Sequence, residues 1–258
     1  MSAKLLAAAF ARSLLFAPVA IAAEAPVIAV AANMTEPMRE IAAAFESERE
    51  IRARLSFGSS GNFVRQIQQG ASFELFLAAD DDSIERLRAT GHVTDQGAVY
   101  AVGRLALFVP SGSSIKLDPE LMGLGDALRL GAVRRIAIAN PEHAPYGRAA
   151  EQTLRRSGLW ELARPRLVLG ENIGQAAQFV VTGAAEAGFI AYSIALAPSL
   201  KDKGRFVVMP EAAHGPIRQR MALLAGASDN ARALYEFMSG ATARRVLERY
   251  GYAVPGAQ

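Results

Sequence analysis

From residue 27 onward the chain alternates short apolar runs with longer stretches in which apolar residues recur every three or four positions. Such alternation marks an α/β protein whose mostly parallel strands are joined by crossover helices. Residues 27–31, Val-Ile-Ala-Val-Ala, predict a buried strand. Thr35, Glu36 and Pro37 then predict a helix start, with proline in the first turn and a carboxylate at the positive end. Met38, Ile41, Ala42 and Phe45 follow at helical spacing, so this helix buries one face. The unit repeats as a strand at 53–57, a glycine-serine turn at 58–62 and a helix from Phe63 that Gly70 ends. A third strand is expected at 74–79, with Asp82 and Ser83 capping a helix over 84–89.

An extended apolar run at 103–110 opens a second series, in which strands at 135–139, 167–169 and 187–191 alternate with helices at 148–156 and 175–182. This middle block reads as a second lobe inserted into the first. Lobe one is expected to hold 23–102 and 202–258, and lobe two 103–201. The strands at 205–210 and 221–224 and the helices at 231–238 and 241–250 would then return to lobe one.

Residues 1–22 are set aside from the fold. Lys4, an apolar stretch broken by Arg12, and Ala20-Ile21-Ala22-Ala23 read as a secretory signal cleaved near Ala22. Arg12 interrupts the roughly 20 apolar residues that a spanning helix needs. The remainder is therefore expected to be soluble beyond a membrane, in the periplasm. With 0 cysteines the chain has no disulfide scaffold, no thiolate metal site and no cysteine to carry a lipid. The formal charge of +3 includes Lys4 and Arg12 of the leader, so the rest is close to neutral. That excludes a nucleic-acid binder working through phosphate neutralisation.

In open α/β sheets, ligands bind beyond the strand C-termini, where helix starts present unpaired backbone N–H groups. An anion is satisfied there by dipoles without a full countercharge. Four loops suit that task. In 31–35, Asn33 either donates its amide toward a ligand or caps a helix, with Ala32 beside it. In 58–61, Ser59 and Ser60 offer hydroxyls between glycines that let backbone approach a ligand closely. Tyr146 stands just ahead of a helix, where its phenol either donates to an oxygen or fills a core. The turn Glu171-Asn172-Ile173-Gly174 opens another helix, which makes the Ile173 backbone N–H a candidate donor.

These loops also resemble a known family. Ala31-Ala32-Asn33-Met34-Thr35-Glu36-Pro37, Ser56-Phe57-Gly58-Ser59-Ser60-Gly61, the run from Pro141 to Gly147 and Gly170-Glu171-Asn172-Ile173-Gly174-Gln175 are similar in order and spacing to the periplasmic molybdate-binding proteins of ABC transporters. The likeness runs from about Val27 to Tyr250. It implies a two-lobed type II periplasmic binding fold, each lobe a mixed, mostly parallel sheet flanked by helices. The interlobe cleft would hold molybdate or tungstate through Asn33, Ser60, Tyr146 and Ile173, with Ala32 and Ser59 as secondary contacts. Molybdenum would enter only as the oxyanion, through the same residues. The resemblance further implies no cofactor, a monomer, and a permease at the inner membrane as partner. A tyrosine that contacts ligand in some relatives aligns nearest Ala191, so no such role is carried to Tyr192.

Other readings are another oxyanion such as sulfate, a ferric ion, or a periplasmic serine hydrolase. A hydrolase would use Ser59 or Ser60 with His92, His143 or His214, but the chain carries no Gly-x-Ser-x-Gly elbow around either serine. A ferric site needs clustered tyrosine and carboxylate ligands, where these loops carry Asn, Ser and backbone. The run Asp80-Asp81-Asp82 reads as a solvated helix cap before it reads as a metal site.

Overall fold

The computed structural model describes residues 24–93 and 95–255; the expected secretory signal lies outside them. The first half-sheet forms as the periodicity predicts. Strand β1 (Val27–Ala31) leads through a 3-10 turn (Ala32–Met34) into α1 (Thr35–Arg49), β2 (Arg54–Gly58), α2 (Ser60–Gln68), β3 (Leu75–Leu77) and α3 (Asp81–Ala89). Pro37, Met38, Ile41 and Phe45 form the buried face of α1, and Glu50 ends it in a left-handed conformation at φ 57°.

The apolar run at 103–110 holds one strand, and its first residue, Gly103, ends another that the periodicity does not mark. Strand β4 (Ala98–Gly103) ends in one lobe and β5 (Leu105–Pro110) begins in the other, so the chain crosses at Gly103 and Arg104. Lobe two continues through α4 (Met122–Arg129), β6 (Ile136–Ala139), α5 (Pro145–Arg156), α6 (Trp160–Ala163), β7 (Leu167–Gly170), α7 (Ile173–Val181), β8 (Ala187–Ala191), α8 (Tyr192–Ala195) and β9 (Gly204–Val208). After the return crossing come β10 (Ile217–Leu223), α9 (Asp229–Met238) and α10 (Ala241–Arg249).

The expected lobe boundary at 201/202 needs correction. Strand β9 pairs antiparallel with β5, Val207 opposite Leu107 and Phe206 opposite Phe108, so 204–208 belong to lobe two. Without β9, one edge of β5 would be unpaired, since its other edge is taken by β8. The chain returns to lobe one only in the segment between Val208 and Ile217.

The two sheets share one plan. The first runs β2-β1-β3-β10-β4 and the second β7-β6-β8-β5-β9. In each, three parallel strands are followed by one antiparallel strand, β10 or β5, supplied by the segment that enters after a crossing. Two apolar clusters cover the faces of the first sheet, around Phe45, Leu75 and Leu234 and around Phe63, Phe76 and Leu87. A third fills lobe two and runs on into Ala31, Ala32 and Ala79 of lobe one, so the lobes are pressed together where the β1, β3, β6 and β7 strands end. Among the described residues no helix is long and apolar enough to cross a membrane.

Candidate functional site

A small cavity between the lobes is lined by Ala31, Ala32, Asn33, Gly58, Ser59, Ser60 and Ala79 on one side, and Ala144, Pro145, Tyr146, Asn172 and Ile173 on the other. All four residues expected to bind, and both secondary ones, therefore meet at one place. No lining side chain is charged.

The helix starts explain what this cavity offers. Helices α2 and α5 begin after Ser59 and Ala144, neither of which caps its helix through a side chain. Elsewhere the chain does cap: Asp80 accepts from the Ser83 N–H at 3.1 Å and Ser228 from that of Ala231 at 3.3 Å. At α7, Asn172 Oδ1 takes the N–H groups of Gly174 (2.9 Å) and Gln175 (3.1 Å) and leaves that of Ile173. Among the described residues, the backbone N–H groups of Ser60, Tyr146 and Ile173 meet no protein acceptor, as expected of first-turn donors. Ser60 adds a hydroxyl whose oxygen already accepts the Ala79 N–H at 2.9 Å, so its hydrogen is left for another acceptor.

Asn33 departs from expectation. Its Nδ2 donates to Gln219 Oε1 at 2.9 Å and to the Tyr252 hydroxyl at 2.7 Å, while Oδ1 is buried without a partner. Both amide hydrogens are thus spent inside the protein, and the N-terminal 3-10 turn carries Asn33's backbone to the cavity. Around it lies a buried polar network that the sequence reading missed. The Ser193 and Tyr252 hydroxyls bond the Asn33 carbonyl at 2.8 and 3.0 Å, Tyr100 donates to Gln219 Oε1 at 2.9 Å, and Gln219 Nε2 donates to the Tyr146 hydroxyl at 3.2 Å. Burial pushes the Tyr100 and Tyr146 phenols well above their ordinary pKa and that of Tyr252 up to about 12. These phenols stay protonated donors at neutral pH.

The lobes touch through backbone as well. Gly61 N–H donates to the His143 carbonyl at 2.9 Å, and Ser59 Oγ lies 3.0 Å from His143 Nδ1. At the rim, Arg148 pairs with Asp80 and Asn62 with Glu171 across the cleft. Ser59 and His143 do come together as a hydrolase would need, yet among the described residues no carboxylate hydrogen-bonds the His143 ring. His92 meets Thr90 and His214 meets the Gly215 carbonyl, away from both serines. Asp80 serves as a cap and ion-pair partner, and Asp81 pairs with Arg218 and Arg220 at 3.0 and 2.9 Å. Tyr192 packs against Phe206 with tilted rings 5.6 Å apart and does not line the cavity.

A larger cavity, about 450 Å³, lies at the crossings beside Arg104, Glu211 and His214. It presents both signs of charge and no converging helix starts, so the interlobe cleft is the better candidate on chemistry.

Two lobes of this topology closing on an uncharged, donor-lined cavity define a solute-binding protein. The chain belongs to the bacterial extracellular solute-binding proteins, whose family model matches residues 26–253, and among them to the molybdate-binding ModA proteins. It is 41% identical over 230 residues to the molybdate-binding protein ModA of Azotobacter vinelandii, covering 88% of this chain and 89% of that one. With the molybdate-binding protein ModA of Rhodobacter capsulatus it shares 37% identity, covering 88% of this chain and 87% of the relative. A solved structure, the Azotobacter vinelandii periplasmic molybdate-binding protein, superposes with a TM-score of 0.80 at 29% identity, over 89% of this chain and 99% of that one.

Two outcomes test the site's construction. A Cβ on Gly61 would fall 2.8 Å from the His143 carbonyl oxygen and 2.9 Å from its Cα. Gly61→Ala should therefore oppose closure by about 1–3 kcal/mol without unfolding either lobe. Small-angle scattering should show a larger radius of gyration at an unchanged unfolding midpoint; an unaltered radius would contradict the close interlobe contact. The buried phenols set an alkaline limit. Their folded pKa values lie above the roughly 10 of an unfolded phenol, so their contribution is complete below about pH 10 and is lost as pH rises toward the folded values. The unfolding midpoint should fall steeply above about pH 10, and less steeply in Tyr252→Phe.

Proposed function

We propose that the protein captures molybdate, and tungstate with it, between its lobes and delivers it to the permease of an ABC transporter. It is a carrier and not an enzyme, and it needs no cofactor. The observation that carries this reading is the convergence of three helix-start N–H groups and the Ser60 hydroxyl on a cavity with no charged side chain. A fully ionised tetrahedral oxyanion needs donors only. A protonated anion such as hydrogen phosphate carries a donor of its own, for which such a cavity provides little. Hydrogen bonds to a charged partner contribute about 1.5–3 kcal/mol each, so half a dozen offset desolvation and reach micromolar affinity or better, roughly −8 kcal/mol.

In this reading Ser60, Tyr146 and Ile173 donate from backbone or side chain, Asn33 and Ala32 from backbone, and Ser59 holds His143 across the closed cleft. Sulfate has the same charge and shape as molybdate, and its exclusion rests on cavity size. The Azotobacter vinelandii and Rhodobacter capsulatus relatives are molybdate-binding proteins, which favours molybdate here. The solved Azotobacter vinelandii protein is periplasmic, which supports the same location for this one, with residues 1–22 removed as a secretory signal and the protein acting as a monomer.

Thermal unfolding with added oxyanion tests the reading. Molybdate at a hundredfold its dissociation constant should stabilise the protein by about 2.7 kcal/mol. Ser60→Ala, judged against its own anion-free midpoint, should lose about 1–3 kcal/mol of that affinity and need correspondingly more molybdate for the same shift. No upshift in the native protein, or an equal response in the variant, would refute the assignment.

A further inference from the structure

Two neighbouring aspartates at the start of α3 are compensated in different ways. Asp81 meets Arg218 and Arg220, which flank and belong to β10, at 3.0 and 2.9 Å, so its countercharge comes from its own lobe. Asp80 gives Oδ1 to the Ser83 N–H at 3.1 Å, and its other oxygen meets Arg148 of α5, in lobe two. Among the described residues no cation of lobe one pairs with Asp80.

Both members of this pair stand close to the anion cavity. Asp80 follows Ala79, which lines the cavity and whose N–H donates to Ser60 Oγ at 2.9 Å. Arg148 lies in the opening turn of α5, whose residues Pro145 and Tyr146 line the same cavity from the other lobe. A recess of about 170 Å³ shares Ala79 and Pro145 with the cavity, and Asp80 and Arg148 line it from opposite lobes. A cation in the opening turn of a helix is opposed by the helix dipole, so α5 itself gives no reason for Arg148 to stand there. Its partner across the cleft does.

For a doubly charged ligand the consequence is electrostatic. The Asp80 side chain is only 16% exposed, so water screens its charge incompletely and it acts on an anion in the cavity next door. Asp82, Glu142 and Glu171, the other carboxylates of this rim, are exposed and left to the solvent. The Arg148 pair spans the cleft, so it exists only while the lobes are together.

We propose that Arg148 is the countercharge that closure delivers to Asp80: the carboxylate beside the cavity wall is neutralised in the closed form, and the closed form thereby becomes the one that tolerates a dianion. This rests on the oxyanion reading above. Arg148 touches no ligand in this account and acts through Asp80, which gives lobe closure and anion occupancy a shared electrostatic term.

Calorimetric molybdate affinities at low ionic strength separate this role from a plain clasp between the lobes. Asp80→Asn keeps a residue suited to capping α3, and Arg148→Gln keeps a good helix former, so both variants leave the local fold intact. Arg148→Gln should weaken binding about threefold to tenfold, by leaving Asp80 uncompensated, and the loss should shrink as salt is added. Arg148→Lys, which keeps the charge, should bind nearly as the native protein does. Asp80→Asn should bind at least as tightly as native, and the double variant should return to within about twofold of native. A clasp would instead lose as much affinity in Asp80→Asn as in Arg148→Gln. That pattern, a double variant as weak as Arg148→Gln alone, or an unaltered affinity in Arg148→Gln overturns the proposal. A native protein that binds no molybdate would overturn the proposed function, and this inference with it.

Discussion

An α-helix cannot satisfy its own first N–H groups, and the whole architecture follows from where this chain sends them. Three helices, α2, α5 and α7, start at strand ends that face one another across the lobes. Their first donors meet no protein acceptor, and α2 and α5 lack the side-chain cap that Asp80 gives α3 and Ser228 gives α9. Orphan donors in a water-free space are costly, so the closed cavity is stable only when something with surplus lone pairs occupies it. In the proposed function a small oxyanion meets that need, which couples its arrival to the closing of the lobes.

Closure is held on two levels. At the mouth, the Gly61 N–H bonds the His143 carbonyl, and the Arg148–Asp80 ion pair and the Asn62–Glu171 hydrogen bond span the rim. At the floor, Asn33, Tyr100, Tyr146, Ser193, Gln219 and Tyr252 form a buried network that draws on both lobes. The rim is partly exposed, so its charges are partly screened. The floor is dry, and there every donor needs a designated acceptor.

Much of this was legible in the chain. Short apolar runs and apolar residues recurring every three or four positions marked the strand-helix alternation, and the glycine, serine, asparagine and proline loops marked the helix starts that line the cavity. Where the reading fell short, the reasons are physical. The helix at Met122–Arg129 starts from a left-handed Leu121 and contains Gly123 and Gly125, and the carboxylate that takes its first N–H groups, Asp118, stands ahead of Leu121, so neither a residue at the N-cap nor propensity announces it. The run from Ala98 to Pro110 is apolar through the crossing, and only Gly103-Arg104 divides its two strands. Strand β9 has the composition of any edge strand, and sequence cannot say which sheet it joins. Gln219 did leave a trace: alternation puts it on one face with buried Ile217 and Met221, a polar residue among apolar ones. The Asn33 amide could not have been foreseen, because its partners lie 186 and 219 residues away.

The most direct measurement is a calorimetric titration of the protein with molybdate, sulfate and hydrogen phosphate in one buffer. Tight one-to-one binding of molybdate, with little heat from hydrogen phosphate, is the result expected of a cavity that only donates. Hydrogen phosphate binding as tightly as molybdate, or no binding of any of the three, would contradict it.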